Sequence, residues 1–249
     1  MKVELIKSKD NVKRIAISGV KPSFANTLRR ACSFEVPVLA IEDVYFTKNS
    51  SALYDEIVSH RLALVALKTD LKSYEVIDKC SCKAKGCAKC QVVLKLSVTG
   101  PAMVRAKDLK SQDPAIKPLY PNTPIVELID GQEIEFEAVA VLGKGKTHAK
   151  WSSCLSYYHK YPTSKIKGDV AKALKDVPQG LFDKKGNIID LSKYDLCKYY
   201  AEKSNGAITI NTTDDKFVFT IEPWGQLDSK QILVEASNII KQKLKDVKI

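Results

Sequence analysis

Apolar and polar residues alternate with a period of two in several stretches of the chain, a pattern typical of half-buried β-strands. The predicted strands span residues 3–6, 12–18, 39–46, 92–98, 125–128, 134–142 and 217–222. Residues 111–124 carry four prolines between two of these strands, which indicates an irregular connection there. The sequence therefore predicts a strand-rich chain with an interruption after its middle strand.

An amphipathic helix is predicted after the second strand. Ser23 is the expected N-cap, because its hydroxyl can accept a hydrogen bond from an unpaired amide of the first turn. Three apolar residues then recur at helical spacing: Phe24, Leu28 and Ala31. Arg29 and Arg30 face away from this stripe, and Pro37 ends the helix.

A second amphipathic helix closes the chain, with Asp228 or Ser229 as its N-cap. Its apolar residues share one face: Ile232, Leu233, Ala236, Ile240 and Leu244. A further helix is predicted over residues 53–67. Residues 161–205 have weaker periodicity and more lysine, which indicates an insertion or a small subdomain.

Four of the seven cysteines lie within one short segment, residues 80–90, with the spacing C-x-C-x4-C-x2-C: Cys80, Cys82, Cys87 and Cys90. Pairs of thiols one or two residues apart can each supply two corners of a tetrahedral zinc site. Gly86 helps the backbone to turn, and the lysines at 83, 85 and 89 can offset thiolate charge. Because the segment contains no histidine or carboxylate, we predict a structural zinc site.

Composition narrows the class of protein. The other cysteines, Cys32, Cys154 and Cys197, are scattered, which favours a reducing compartment over a secreted disulfide framework. No apolar run approaches 20 residues and the first residues alternate like a strand, so we expect a soluble, cytoplasmic protein without membrane contact. The net charge of +11, with eight lysines and one acid between residues 143 and 175, favours an acidic partner, either nucleic acid or protein.

No catalytic centre is predicted. The segment AVLGKGKT at 140–147 is similar to a phosphate-binding loop, but Ala140 stands where that loop needs glycine and no convincing helix follows. His60, His148 and His159 are far apart, and no clustered aspartates resemble a paired magnesium site.

Longer stretches resemble a known family. FANTLRRACSFEVP at 24–37, AIEDVYFTKNSSALYDEIVSHRLALVAL at 40–67 and HAKW at 148–151 resemble the alpha-like assembly subunits of cellular RNA polymerases. The resemblance is greatest to the archaeal D subunits, which are related to the third subunit of eukaryotic RNA polymerase II and to bacterial alpha. It includes the final strand, turn and helix and is weakest over residues 161–205.

This resemblance implies an α+β fold with three parts. Residues 1–46 and 206–249 form a dimerisation domain, residues 47–160 form an inserted β-rich domain that carries the cysteine loop at 80–90, and residues 161–205 form a degenerate ferredoxin-like subdomain. The implied function is a non-catalytic assembly subunit of DNA-directed RNA polymerase, a nucleotidyltransferase whose magnesium-binding aspartates lie in another chain.

The resemblance also implies partners. A smaller alpha-like protein, the archaeal L subunit, forms a heterodimer with this kind of chain, and the heterodimer nucleates assembly of the large catalytic subunits. DNA is reached only indirectly, through the complex. The residues predicted to face the partner are Phe24, Leu28, Ala31, Ile232, Ala236 and Ile240. Arg29 and Arg30 are expected near the large subunits.

Some archaeal D subunits hold an iron–sulfur cluster through a Cys-Pro and a later C-x2-C-x2-C run. Here Val177 precedes Pro178, and the later positions are Cys197, Tyr200 and Lys203. Because one thiol of four cannot hold that cluster, we expect no iron–sulfur cluster. The loop at 80–90 instead resembles the zinc loop of the eukaryotic third subunit. The alternatives are a free-standing zinc protein that binds nucleic acid and an electron-transfer protein that uses the four thiols.

Overall fold

The structure of the protein is a computed structural model that describes residues 1–9 and 11–247, with only the backbone of Ala171. The strands of the described residues are β1 (Lys2–Lys9), β2 (Val12–Ser18), β3 (Val38–Asn49), β4 (Gln91–Thr99), β5 (Ala102–Arg105), β6 (Lys110–Ser111), β7 (Pro124–Leu128), β8 (Glu133–Gly143), β9 (Cys154–Ile166) and β10 (Ile208–Pro223). The α-helices are α1 (Pro22–Arg30), α2 (Asp55–Ala63), α3 (Val170–Ala173), α4 (Tyr194–Lys203) and α5 (Ser229–Asp246). The predicted combination of helices and sheets is confirmed.

The chain divides into two compact units. The first unit comprises Met1–Lys9, Lys13–Thr27 and Tyr157–Thr220, and the second consists mainly of Leu28–Ser156 and Ile221–Ile249. These boundaries differ from the predicted ones, which distinguish a dimerisation domain from the parts inserted into it. The predicted three-part division stays a prediction, because contacts within one chain do not reveal which part dimerises.

In the first unit, strands join in the order β1-β2-β10-β9. The amide of Gly19, just after β2, donates to the carbonyl of Asp215 in β10 at 2.9 Å. Tyr158 of β9 meets the ring of Phe217 edge-on, with 5.6 Å between ring centroids. A separate small core lies in the helical part of this unit: Leu181, Phe182, Cys197, Ala201 and Ile208.

In the second unit, an antiparallel sheet has the order β3-β8-β4-β6, and β5 pairs with β7. The central strand β8 places Phe136 opposite Phe46 on one side and Leu96 on the other. Helix α2 packs against β3 and β7, which encloses the largest apolar core. Its fully buried members include Leu39, Leu62, Leu94, Ile125 and Phe136. The alternation along β4 and β8 predicts this core correctly.

Two helix boundaries differ from the sequence prediction. Helix α1 begins at Pro22, and Ser23 lies inside its first turn, where its carbonyl accepts from the Thr27 hydroxyl at 2.9 Å. Proline suits the first helical position because its fixed φ matches the helix and its missing N–H would be unpaired there. The prediction of Ser23 as N-cap was therefore wrong.

Helix α2 spans Asp55–Ala63 and is shorter than the predicted 53–67. The side-chain amide of Asn49 and the Ser51 hydroxyl both donate to the carbonyl of Leu53, at 3.0 and 3.1 Å, and hold the residues before the helix in a turn. At α5, Asp228 is the N-cap, since its carboxylate accepts from the amides of Lys230 and Gln231. The Gln231 side chain accepts in return from the Asp228 amide and completes a capping box.

Candidate metal centre and interface helices

The cysteine loop, residues 80–90, consists of two tight turns that each present a pair of thiols. The amide of Lys83 donates to the carbonyl of Cys80 at 3.1 Å, and the amide of Cys90 donates to the carbonyl of Cys87 at 2.9 Å. Gly86 has φ +82°, and a side chain there would collide with Gln91. Glycine at 86 thus lets the backbone reverse between the two turns.

The four cysteines lie at distances that suit one metal ion. The Sγ atoms are separated by 3.5 Å for Cys80 and Cys87, 3.6 Å for Cys82 and Cys90 and 3.8 Å for Cys87 and Cys90. All four ligand atoms lie within 4.8 Å of one another. A tetrahedral site with Zn–S bonds of about 2.3 Å requires S···S separations of about 3.8 Å. The structure therefore brings the four predicted ligands into a set that fits a tetrahedral metal ion.

Within each turn, the two thiols differ in burial. Cys80 and Cys90 are buried, whereas Cys82 and Cys87 are half-buried. Burial raises the pKa of Cys90 to about 12. Desolvation opposes ionisation of Cys82 too, but hydrogen bonds from Cys80 and Cys90 outweigh it and lower the pKa of Cys82 to about 7. Cys82 therefore ionises more readily than Cys80 and Cys90, whose pKa values are raised, and a metal ion would displace the thiol protons that remain.

The loop is also fixed to its surroundings by backbone contacts. The amide of Glu75 donates to the carbonyl of Lys89 at 2.8 Å, and the 3₁₀ helix Ile77–Lys79 leads directly into Cys80. Strand β4 begins at Gln91, immediately after Cys90. A metal ion here would therefore connect the segment before the loop to the central sheet of the second unit.

The predicted interface residues near the start of the chain have different environments. Leu28 and Ala31 are buried against their own chain. Phe24 and Arg29 are half-buried, and Arg30 is exposed. The apolar stripe predicted for this helix is therefore largely used within the chain.

The apolar residues predicted to share one face of α5 form two stripes, one buried and one partly exposed. Ile232 and Ala236 are completely buried in the chain's own core. Leu233 and Ile240 are half-buried, and Leu244 is 69% exposed. Spacings of seven and four residues place these three on one stripe that adjoins the buried one. This outer stripe offers apolar surface that the described chain leaves uncovered.

Sequence reasoning missed the segment that follows α1. Residues Ala31–Glu35 form one turn of π-helix. The Ser153 hydroxyl donates to the carbonyl of Cys32 at 2.6 Å, and Lys243 of α5 pairs with Glu35 at 2.6 Å. Desolvation alone would raise the pKa of Glu35, but the ion pairs with Lys243 and Lys144 outweigh it and lower that pKa. All of these partners are distant in sequence, so no local pattern could have indicated the segment.

The lysines between residues 143 and 175 are partly engaged in ion pairs. Lys144 pairs with Glu35, Lys150 with Glu42 and Lys160 with Asp214. A 3₁₀ helix, Ala149–Trp151, follows the segment at 140–147 whose sequence is similar to a phosphate-binding loop.

No helix among the described residues has both the length and the hydropathy needed to cross a membrane.

The histidines have different surroundings. The Nδ1 atom of His148 accepts from the amide of Lys150 at 3.1 Å, whereas the ring of His159 stacks on Tyr194 with 5.1 Å between centroids. His148 thus caps a short helix, and His159 packs against an aromatic ring.

The middle of the chain matches a known protein-family model. Residues 44–155 match the RNA polymerase Rpb3/RpoA insert domain. These residues carry the second half of β3, the strands β4 to β8 and the cysteine loop. The segment that carries the cysteine cluster therefore belongs to the class of RNA polymerase Rpb3/RpoA insert domains.

Known proteins that are similar over nearly the whole chain show the family to which it belongs. The chain is 35% identical to DNA-directed RNA polymerase subunit Rpo3 of Methanosphaera stadtmanae, across 99% of the chain and 97% of the relative. Identity to the Rpo3 subunit of Pyrobaculum calidifontis is 36%, across 98% of the chain and 94% of the relative. For Pyrococcus furiosus Rpo3 it is 34%, with the same coverage. The chain belongs to the Rpo3 family, the family of archaeal D subunits. The predicted resemblance is confirmed, and a free-standing nucleic-acid-binding protein is not favoured.

Proposed function

We propose that the chain is the assembly subunit of a DNA-directed RNA polymerase. One observation carries this proposal: similarity to Rpo3 subunits extends over nearly the whole chain and nearly the whole of each relative. A protein that shared only the insert domain could have another role, but here the similarity also covers the segments on both sides of that domain. The proposed site of action is the cytoplasm, where the chain contacts DNA only through the assembled enzyme.

The proposed first partner is a smaller alpha-like protein, the archaeal L subunit, in a heterodimer. The outer stripe of α5, formed by the half-buried Leu233 and Ile240 and the exposed Leu244, supports this because partly uncovered apolar residues in a row on a helix suit a helix-packing partner. Phe24 of α1 is half-buried and is proposed as a further contact. The buried residues Leu28, Ala31, Ile232 and Ala236 would hold these helices in place for the partner.

The heterodimer would then nucleate assembly of the large subunits, to which we assign nucleotide addition. Arg30 is exposed at the end of α1 and is proposed, with Arg29, to lie near those subunits. The role of the chain is therefore structural, within an enzyme that is a nucleotidyltransferase.

The proposed cofactor is one structural zinc ion, bound by Cys80, Cys82, Cys87 and Cys90. Four thiolates at tetrahedral separations support zinc, which would supply a cross-link between the two turns of the loop. Residues 161–205 are proposed to keep a degenerate ferredoxin-like shape without a cluster. Cys197 supports this, since it is fully buried in the small apolar core of the first unit.

Affinity purification of the tagged chain from its native cells tests the proposed function. We expect polymerase subunits to co-purify, among them a small alpha-like chain in a one-to-one ratio. The variant Leu244→Glu should lose the small subunit, whereas the control Leu64→Glu, which changes another exposed leucine outside α5, should retain it. Purification of the chain without any polymerase subunit would contradict the proposal.

A further inference from the structure

We propose that a groove in the second unit, beside the cysteine loop, binds a basic segment of another polymerase subunit. This inference rests on the proposed function, because it assumes that the chain is assembled into the enzyme. The groove has a volume of 550 Å³. It lies between the segment 76–79 that precedes Cys80, the ends of β3 and β8, and helix α5.

The floor of the groove is apolar. Leu142 and Trp151 are buried beneath it, and Val76, Ile77 and Ile239 are half-buried around it. Such a surface suits the aliphatic stem of a long side chain, which can lie on apolar groups while its charged end reaches the rim. A partner with lysine or arginine side chains matches this floor.

The rim is acidic in a chain whose net charge is +11. The carboxylates that line the groove are Glu35, Glu42, Asp43, Asp78 and Glu235, and the lysines are Lys79 and Lys144. Glu35 and Glu42 already pair with lysines of this chain. Among the described residues, Asp43, Asp78 and Glu235 are in no ion pair, and neither is the rim lysine Lys79. The five rim carboxylates still outnumber the four lysines around them, Lys79, Lys144, Lys150 and Lys243, so the rim keeps a net negative charge that is complementary to a cationic segment.

A metal ion fits the groove less well than a basic segment does. Within the described part of the chain, the cysteine cluster is the one group of three or more potential metal ligands whose atoms converge. Carboxylates spread around an apolar floor instead suit several separate charges on one extended chain. Because segment 76–79 runs into Cys80, metal binding in the loop would also fix one wall of this groove.

The test uses the intact polymerase, purified with this chain either unchanged or altered. Zero-length carbodiimide cross-linking joins a carboxylate to an adjacent lysine, and amidation with glycine ethyl ester labels carboxylates that remain accessible. The test variant is Asp78→Asn with Glu235→Gln, and Asp130→Asn removes an exposed carboxylate of the same unit as the control. The subunits that the enzyme retains are measured at rising salt.

We expect Asp43, Asp78 and Glu235 to be protected from amidation relative to Asp130, or to cross-link to one segment of another subunit. In the double variant, that subunit should dissociate at lower salt, with an affinity reduced roughly tenfold, which corresponds to about 1.4 kcal/mol for the two rim pairs together. The Asp130→Asn enzyme should behave like the unaltered one.

Full amidation of the three carboxylates in the intact enzyme would overturn the proposed groove partner. So would cross-links only to lysines of this chain, or equal salt stability of the double variant and the control. In each of these cases the chain still co-purifies with the polymerase, so the proposed function stands. If the unaltered chain does not co-purify at all, the proposed function fails instead.

Discussion

The cysteine loop, residues 80–90, and the helical segment at 161–205 that we propose as a subdomain are both small and rich in turns, yet they are stabilised differently. In the loop, the buried side chains are Cys80 and Cys90, and both belong to the thiol cluster. The subdomain buries Leu181, Phe182 and Ala201 around a single thiol, Cys197. The loop thus has ligands without an apolar core, and the subdomain has a core without a ligand set.

This difference explains why cysteine number alone does not indicate a metal site. A thiol in an apolar core behaves as a small hydrophobic residue, whereas four thiols at tetrahedral separations can couple metal binding to folding. If the comparison holds, metal removal should affect only the loop, and loss of apolar contacts should affect only the subdomain.

The largest effect is expected for Cys87→Ser. Structural zinc contributes roughly 10–16 kcal/mol of apparent binding free energy in small zinc domains, so loss of one ligand should remove most of the metal. Metal analysis should show loss of zinc, and limited proteolysis should show cleavage within residues 80–90. Cys197→Ser is the matched control, and this variant should keep the zinc bound in the loop at 80–90. Unchanged zinc content and unchanged protease sensitivity in Cys87→Ser would contradict the metal site.

A smaller effect is expected for Leu181→Ala in the subdomain. Leu181 is 1% exposed, and truncation of such a leucine costs about 2–5 kcal/mol. Hydrogen exchange should accelerate in α4, while zinc content stays unchanged. The control is Ile189→Ala, because Ile189 is 57% exposed and its loss should change stability by less than about 0.5 kcal/mol. Equal effects of the two substitutions would mean that the small core does not stabilise this part.

Cys197→Ser should cost less again, about 1–3 kcal/mol, because it places a polar hydroxyl in an apolar core. The carbonyl of Leu181, which the thiol contacts at 4.0 Å, is too far for a good hydroxyl hydrogen bond. Cys197→Ala should be milder, since it adds no polar group. Urea denaturation measures both variants. If the serine variant were as stable as the natural chain, Cys197 would not be a core residue.

The smallest effect is expected for Asp190→Asn, on the stability of the chain at acidic pH. Hydrogen bonds from the Ser192 hydroxyl and amide, together with Lys7, hold the pKa of Asp190 well below its usual range, against desolvation. The folded-state pKa is lowered, so this stabilisation is present above the unfolded pKa of about 3.9 and is lost as pH falls below it. Asp190→Asn should weaken the decline in urea midpoint below about pH 4 and lower the midpoint near pH 6. An identical pH profile would exclude this contribution.

Sequence reasoning predicted the features whose determinants are local. The strands β4 and β8 follow from alternation, and the thiol cluster follows from spacing within eleven residues, 80–90. The π-helical turn Ala31–Glu35 could not be predicted, because its contacts come from Ser153 and Lys243. Nor could the division of the α5 stripe, since helical periodicity does not reveal which apolar residues a chain uses for itself.

Hydrogen exchange of the intact chain, measured with and without a strong metal chelator, tests the central contrast most directly. We predict that the chelator increases exchange in residues 80–90 and leaves α4 of the helical subdomain unchanged. Unchanged exchange in the loop, or an equal increase in both regions, would contradict a metal-stabilised loop beside a core-stabilised subdomain.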